Sequence, residues 1–290
     1  MSLQDMKRQI QSVDNTAKMT GAMQTISAVK LSKARERLDR IRPYTDNMQQ
    51  MMQDIASRAG GGNPLLGGRE EVRNVAICTV TSDRGLAGPF NAQVLRKTVE
   101  FRQEQDADIV QVVTGRKGVE FFRFGRMNIE EAFIGFSDGP TFEKAQEIGR
   151  HLTQLFEDEE ADEVYLVYNQ FQNALMQKAV ITRLLPAAPD ESGDEDEEEE
   201  DEGGVPFEFV PEAEELLDRL VPKYVETLVF RALFESAAGE HGSRMSAMKS
   251  ATDAAHEMSE DLKQKMNKAR QAAITQEIIE IAAAAEALGS

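Results

Sequence analysis

The sequence predicts an α/β protein with long helices: an antiparallel coiled coil of the N- and C-terminal helices plus a Rossmann-like α/β domain. Three observations predict it. Apolar residues recur at an alternating 3–4 spacing through the N-terminal segment, a second helical segment closes the chain, and between them β-branched apolar runs alternate with short amphipathic helices.

The first segment runs from about Leu3 to Arg58. Its 3–4 spacing picks out Leu3, Met6, Ile10, Val13, Ala17, Thr20, Gln24, Ser27, Leu31, Ala34, Leu38 and Ile41, and nine of these twelve are apolar. Such a stripe is a coiled-coil seam. The polar stretch at Thr20, Gln24 and Ser27 reads as a zone of close approach or register setting rather than a break. Gly60, Gly61, Gly62, Asn63 and Pro64 then stop the helix.

From Val72 to about Pro186 the period changes to that of strands. Strands are expected at Asn74–Ser82, Ile109–Thr114, Met127–Ile134, Glu163–Phe171 and Ala179–Leu185, with helices at Phe90–Gln105, Lys117–Phe124 and Phe142–Phe156. Val205–Val210 is a candidate for one more strand. The last segment, from Pro211 to Leu288, is helical again, with Pro222 or the Gly239 and Gly242 pair as candidate bends. At 1.5 Å per residue it would reach about 110 Å, against about 80 Å for the first helix. Neither length fits inside a globular domain, so the two are expected to pair with each other, the C-terminal helix projecting beyond its partner. The expected domains are 1–60, 72–210 with an acidic loop at 190–204, and 211–290.

The net charge is −18, but eleven of the carboxylates lie between Asp190 and Glu202, so only −7 belongs to the rest. A run of that kind repels itself and reads as a solvated loop. Cys78 is the only cysteine, which excludes an internal disulfide and any multi-cysteine metal site, and fits a reducing compartment. His151, His241 and His256 are far apart and lack metal-ligand spacing, so no metal and no cofactor are expected. Met1 leads at once into Leu3, Met6, Ile10 and Val13 at helical spacing, which reads as no leader peptide. No apolar run reaches the length of a membrane span.

Two glycine turns sit where phosphate loops sit, after a strand and before a helix: Ser82-Asp83-Arg84-Gly85-Leu86-Ala87-Gly88-Pro89-Phe90-Asn91 and Thr114-Gly115-Arg116-Lys117-Gly118. Neither completes a GxGxxG or Walker pattern, which favours structural turns over nucleotide binding. Asp83 and Asp138 read as loop caps or surface pairs rather than acid–base residues, and Cys78 as a small core residue. Lys30, Lys33, Arg35, Arg37, Arg40 and Arg42 form a basic stripe opposed only by Glu36 and Asp39. Such a stripe suits an acidic partner surface. Nucleic acid is disfavoured, because Tyr44 is the one aromatic nearby and tryptophan is absent. From Ala272 to Ser290 only Glu277, Glu280 and Glu286 are charged, among Ile274, Ile278, Ile279, Ile281 and Leu288, so this end is expected in an apolar socket.

Ile10 to Lys30, reading IQSVDNTAKMTGAMQTISAVK, resembles the opening helix of the F-type ATP synthase gamma-subunit family. Met245-Ser246-Ala247-Met248-Lys249, Ala251-Thr252-Asp253 and Asn267 to Glu277 look like its C-terminal helix, and Ser82-Asp83-Arg84-Gly85-Leu86 like a loop of its middle domain. The resemblance implies a non-catalytic central rotor shaft, a coiled coil inside a ring of three alpha and three beta subunits. Its α/β foot would meet the epsilon subunit and the membrane rotor ring, at the cytoplasmic face of a bacterial inner membrane. By the matched motifs, Met23, Lys30 and Arg35 would face the moving lever of beta, and Arg270, Gln271 and Thr275 would form a polar catch. Ile278, Ile281 and Leu288 would turn in an apolar sleeve. The sequence departs from the family at Ala87-Gly88-Pro89, where Cys-Gly-Gly is common, and at Ala284, where a glycine is common. The rival readings are a nucleotide-binding α/β enzyme with coiled-coil arms and a coiled-coil scaffold that does not turn.

Overall fold

In the computed structural model, residues 2–58, 64–69, 71–174, 176–187 and 213–289 are described. The expected acidic loop and the candidate strand Val205–Val210 lie outside them. In chain order the elements are α1 (Leu3–Arg58), α2 (Pro64–Gly67), β1 (Asn74–Val80), α3 (Phe90–Glu104), β2 (Asp108–Thr114), α4 (Arg116–Phe124), β3 (Glu131–Phe133), α5 (Phe142–Glu157), β4 (Glu163–Phe171), β5 (Gln177–Leu185) and α6 (Ala213–Gly289).

The chain divides into two compact units, one of residues 29–243 and one of residues 1–28 with 244–290. Both divisions fall inside α1 and α6.

The larger unit contains a five-stranded sheet in the order β3-β2-β1-β4-β5. β1 runs parallel to β2 and β4, β2 parallel to β3, and β5 closes the edge antiparallel to β4. A parallel central strand is covered on both faces, so it reads as a continuous apolar run rather than an alternation. β1 shows this: Val75 and Ile77 pack with Val94 and Val167 on the α3 face, while Ala76, Cys78 and Val80 join Ile148 and Leu152 of α5 on the other. Val221, Val225, Val229 and Leu233 of α6 belong to that second core. Burial pushes the Cys78 thiol up to about 12, which makes it an inert core group.

β3 is shorter than the expected Met127–Ile134. Only Glu131–Phe133 pair with β2, while Met127 and Ile129 pack instead around Leu95, Val113 and Phe122. The apolar run was real, but half of it serves a side-chain cluster rather than a ladder. Gly239 and Gly242 do not interrupt α6. A Cβ on Gly242 would lie 2.9 Å from the Ala174 carbonyl oxygen, and one on Gly239 would lie 3.2 Å from both Phe90 and Gln177. These glycines admit close neighbours, which fits a stretch in which Ala232 to Ser243 are buried without a break.

Asp162 holds the starts of β1 and β4 together. Its carboxylate accepts the Arg73 and Asn74 backbone N–H groups at 2.8 and 2.9 Å and the Arg69 guanidinium at 2.8 Å. Burial opposes its charge, but Arg69 and the two N–H groups outweigh that and hold the carboxyl below its usual range. A carboxylate depressed in the folded state stabilises above its unfolded pKa and ceases to do so as pH falls through the folded one. Asp162→Asn is therefore expected to cost about 2 kcal/mol at neutral pH. Urea unfolding across pH should show the substitution's cost shrinking at acid pH; a cost independent of pH would contradict it.

Candidate functional site

In a doubly wound sheet the ligand crevice lies beyond the C-terminal ends of the strands where the order reverses, here between β1 and β4. α4 begins on that rim, and the first N–H groups of a helix are the usual anion donors. Here the chain itself consumes them. The Arg116 N–H donates to Asp83 Oδ1 at 3.2 Å, the Lys117 N–H to the Ser82 carbonyl at 3.0 Å, and the Gly118 N–H to Thr81 Oγ1 at 2.9 Å. Asp83 also accepts the N–H groups of Gly135 at 2.9 Å and Ser137 at 3.0 Å. Burial works against its charge, yet those N–H donors hold its carboxyl below the usual range. Asp83 is thus a loop cap whose carboxylate takes up N–H groups at this rim.

The crevice is also filled from the other side by α6. Glu235 of α6 accepts the Phe171 N–H at 3.2 Å, and Asn169 of β4 donates to the Phe90 carbonyl at 2.9 Å. Between Thr81, Gly115, Phe90 and the α6 residues Leu233, Ala237 and Glu240 a gap of about 10 Å³ remains, room for one water at most. Gly115 takes φ +84°, and a Cβ there would sit 2.2 Å from the Thr81 carbonyl oxygen, so its glycine serves the packing of this turn. Among the described residues no cluster of His, Cys, Asp and Glu is arranged to hold a metal ion.

The smaller unit is built on the seam. Ile10, Ala17 and Ser27 are buried on α1, with Met6, Val13, Thr20 and Gln24 half-buried between them. On α6 the matching positions are Met248, Thr252, Ala255, Ser259, Leu262, Met266 and Ala269, again 3–4 spaced and buried or half-buried. The pairing is antiparallel: Thr20 and Thr252 share a hydroxyl hydrogen bond of 2.6 Å, while Ser259 donates to Asp14 at 2.6 Å and Lys263 lies 3.9 Å from the same carboxylate. A Cβ on Gly21 would lie 3.9 Å from the Thr252 methyl. Within the polar stretch Thr20 therefore marks the register of the pair with a hydrogen bond. α1 begins at Leu3, and beyond Ala269 every α6 side chain described, to Ala284, is exposed.

That boundary places Arg270, Gln271 and Thr275 on unpaired helix, the Thr275 hydroxyl donating to the Gln271 carbonyl at 2.9 Å. Ile274, Ile278, Ile279 and Ile281 follow, between 49% and 70% exposed. The side chain of Leu288 lies outside the described residues. Met23 is half-buried beside the seam, its carbonyl accepting the Ser27 hydroxyl at 2.8 Å. In the larger unit the basic stripe is partly neutralised. Lys30 donates to Asp138 at 2.5 Å, Arg35 lies 3.8 Å from Asp39, and Arg40 bonds Glu36 at 2.6 Å. Sequence reasoning missed the Lys30–Asp138 pair because 108 residues separate the partners and no local signal marks them.

A family model described as ATP synthase matches residues 2–288. The chain is 60% identical over 289 residues to an "ATP synthase gamma chain" of Rubrobacter xylanophilus, covering 100% of this chain and 99% of that one. It is 42% identical to a protein of the same description from Anaeromyxobacter, covering 99% of both. Among solved structures, a chain from the central stalk and c-ring of the Tetrahymena thermophila mitochondrial ATP synthase aligns at TM-score 0.60 and 20% identity, over 80% of this chain and 99% of that one. A chain from the Euglena gracilis mitochondrial ATP synthase aligns at 0.57 and 16%, over 92% and 95%. At those identities the structural likeness speaks for the fold.

Proposed function

This chain belongs to the ATP synthase gamma-chain family, and from that premise we infer that it is the central rotor shaft of an F-type ATP synthase, a subunit without a catalytic site of its own. The observation that carries the reading is the antiparallel pair whose longer member runs on, bare and isoleucine-rich, past Ala269. A shaft drives equivalent neighbours into different states only if it presents a different face to each, and an unequal helix pair does so.

The proposed partners are three alpha and three beta subunits around the helix pair, with the epsilon subunit and the membrane rotor ring at the α/β domain. No described helix is long and apolar enough to cross a membrane, so attachment to a bacterial inner membrane, on its cytoplasmic face, would run through those partners. Met23, Lys30 and Arg35 are proposed to meet the moving lever of beta, and Arg270, Gln271 and Thr275 to catch it by hydrogen bonds. Ile278, Ile281 and Leu288 form the bearing tip, where non-directional apolar contact permits turning that fixed salt bridges would resist. Ion flow turns the ring and the foot with it, and each passage of the shaft shifts a beta subunit between conformations of different nucleotide affinity.

Mixing the purified chain with alpha and beta subunits should yield a complex that hydrolyses ATP cooperatively. Failure to assemble with all three proteins folded would overturn the reading. The closed crevice supports a further expectation: in equilibrium dialysis the isolated chain binds neither ATP nor NAD stoichiometrically. Saturable one-to-one binding would favour the nucleotide-binding enzyme instead.

A further inference from the structure

A shaft must hand its torque to its foot, and the larger unit contains both the foot's sheet and long stretches of the two shaft helices. Most of the contact between them is apolar, and over Ala232 to Gly239 it is made largely by small side chains. Apolar burial holds the helices on the domain but is non-directional, so it does not by itself single out one register. Hydrogen bonds and ion pairs lose strength steeply with angle and distance, so they oppose tangential displacement.

Among the described residues, such junctions between α6 and the α/β domain include Glu226 with Gln146 and Arg150 of α5, and two others extend to α1. At the first, Asp138 in the loop between β3 and α5 accepts Lys30 of α1 at 2.5 Å and faces His241 of α6 at 3.6 Å and Arg84 at 4.0 Å. One carboxylate thus bonds α1 and lies beside α6. At the second, Glu235 of α6 is 1% exposed and accepts the Phe171 N–H of β4 at 3.2 Å through one oxygen and Arg231 at 3.0 Å through the other. Arg231 continues to Asp46 of α1 at 2.9 Å. Sheet, α6 and α1 are linked in series.

We propose that Asp138 and Glu235 are positioning residues that key α1 and α6 to the α/β domain against rotation, so that torque passes between shaft and foot without slip. The proposal rests on the rotor-shaft reading above. Neither residue takes part in nucleotide chemistry, so loosening the key separates ATP hydrolysis from ion pumping, which a merely destabilised subunit does not do.

The test uses the complete membrane complex in vesicles, carrying Asp138→Asn, Glu235→Gln or both. ATP hydrolysis and ATP-driven vesicle acidification are followed together, with radioactive sodium uptake where the unsubstituted complex does not acidify. Each single substitution is expected to leave hydrolysis within about twofold and to lower ions pumped per ATP by about threefold, and the pair by about tenfold. Asp138→Glu, which keeps the carboxylate, should restore the ratio toward that of the unsubstituted complex. An unchanged ratio in both single variants overturns the proposal. So does a parallel fall in hydrolysis and pumping, or failure of the single variants to assemble, since either marks a structural role. Failure of the shaft reading would appear separately, as an unsubstituted chain that forms no hydrolysing complex.

Discussion

Replacing Gly115 with alanine is expected to cost about 4 kcal/mol, close to the whole stability of a marginal domain. Two terms combine. The residue sits at φ +84°, where side chains are strained, and its new Cβ would lie 2.2 Å from the Thr81 carbonyl oxygen and 2.6 Å from its carbon. Those are backbone atoms of the turn that caps α4, with no flexible end to move aside. Gly135 separates the terms, because it has φ +91° with nothing within 4 Å of a built Cβ. Gly135→Ala should therefore cost about 1 kcal/mol from the backbone alone. Urea midpoints of the two purified variants measure the difference, and equal shifts would contradict the steric account.

The second large effect concerns the bare end of α6. Ile278 and Ile281 are 61% and 70% exposed, so Ile278→Asp with Ile281→Asp should leave the stability of the isolated chain nearly unchanged. In the assembled complex each isoleucine would lose about 2 kcal/mol of burial in its socket. Affinity for the alpha–beta ring should then fall by about a hundredfold or more. A fluorescence titration of labelled chain against the ring reads this directly, with the double leucine substitution binding as the unsubstituted chain does. Equal affinity for the aspartate pair would mean that this end is not seated in an apolar sleeve.

Much of this was legible because it is local or periodic. The 3–4 spacing named Ile10, Ala17, Ser27, Leu31, Ala34 and Leu38, all of them buried. The same spacing runs on past Ile41 to Thr45 and Met52, also buried. Leu3 is the exception at 37% exposure, since it opens α1. The strand Glu163–Phe171 matches residue for residue, and the first helix agrees with its approximate bounds, since turn residues or a glycine run punctuate their ends.

What was not legible depends on distance in the chain. Nothing near Gly242 in sequence announces Ala174, so a glycine that admits a neighbour looked like a bend. Asp83 reads from sequence as a loop cap, but its three N–H donors, Gly135, Ser137 and Arg116, are brought to it only by the fold. Lys30 reads from sequence as part of a basic stripe suited to an acidic partner, and only the fold sets Asp138 beside it. Periodicity reports which face is buried; it does not report which loop meets that face.

The most direct measurement fixes an alpha–beta ring to a surface, attaches a visible rod to the α/β domain of this chain, and adds ATP. The account predicts that the rod turns in one direction with three stops per revolution, at the rate at which ATP is consumed. Continued hydrolysis beneath a rod that stays still, with the chain bound in the ring, would contradict it.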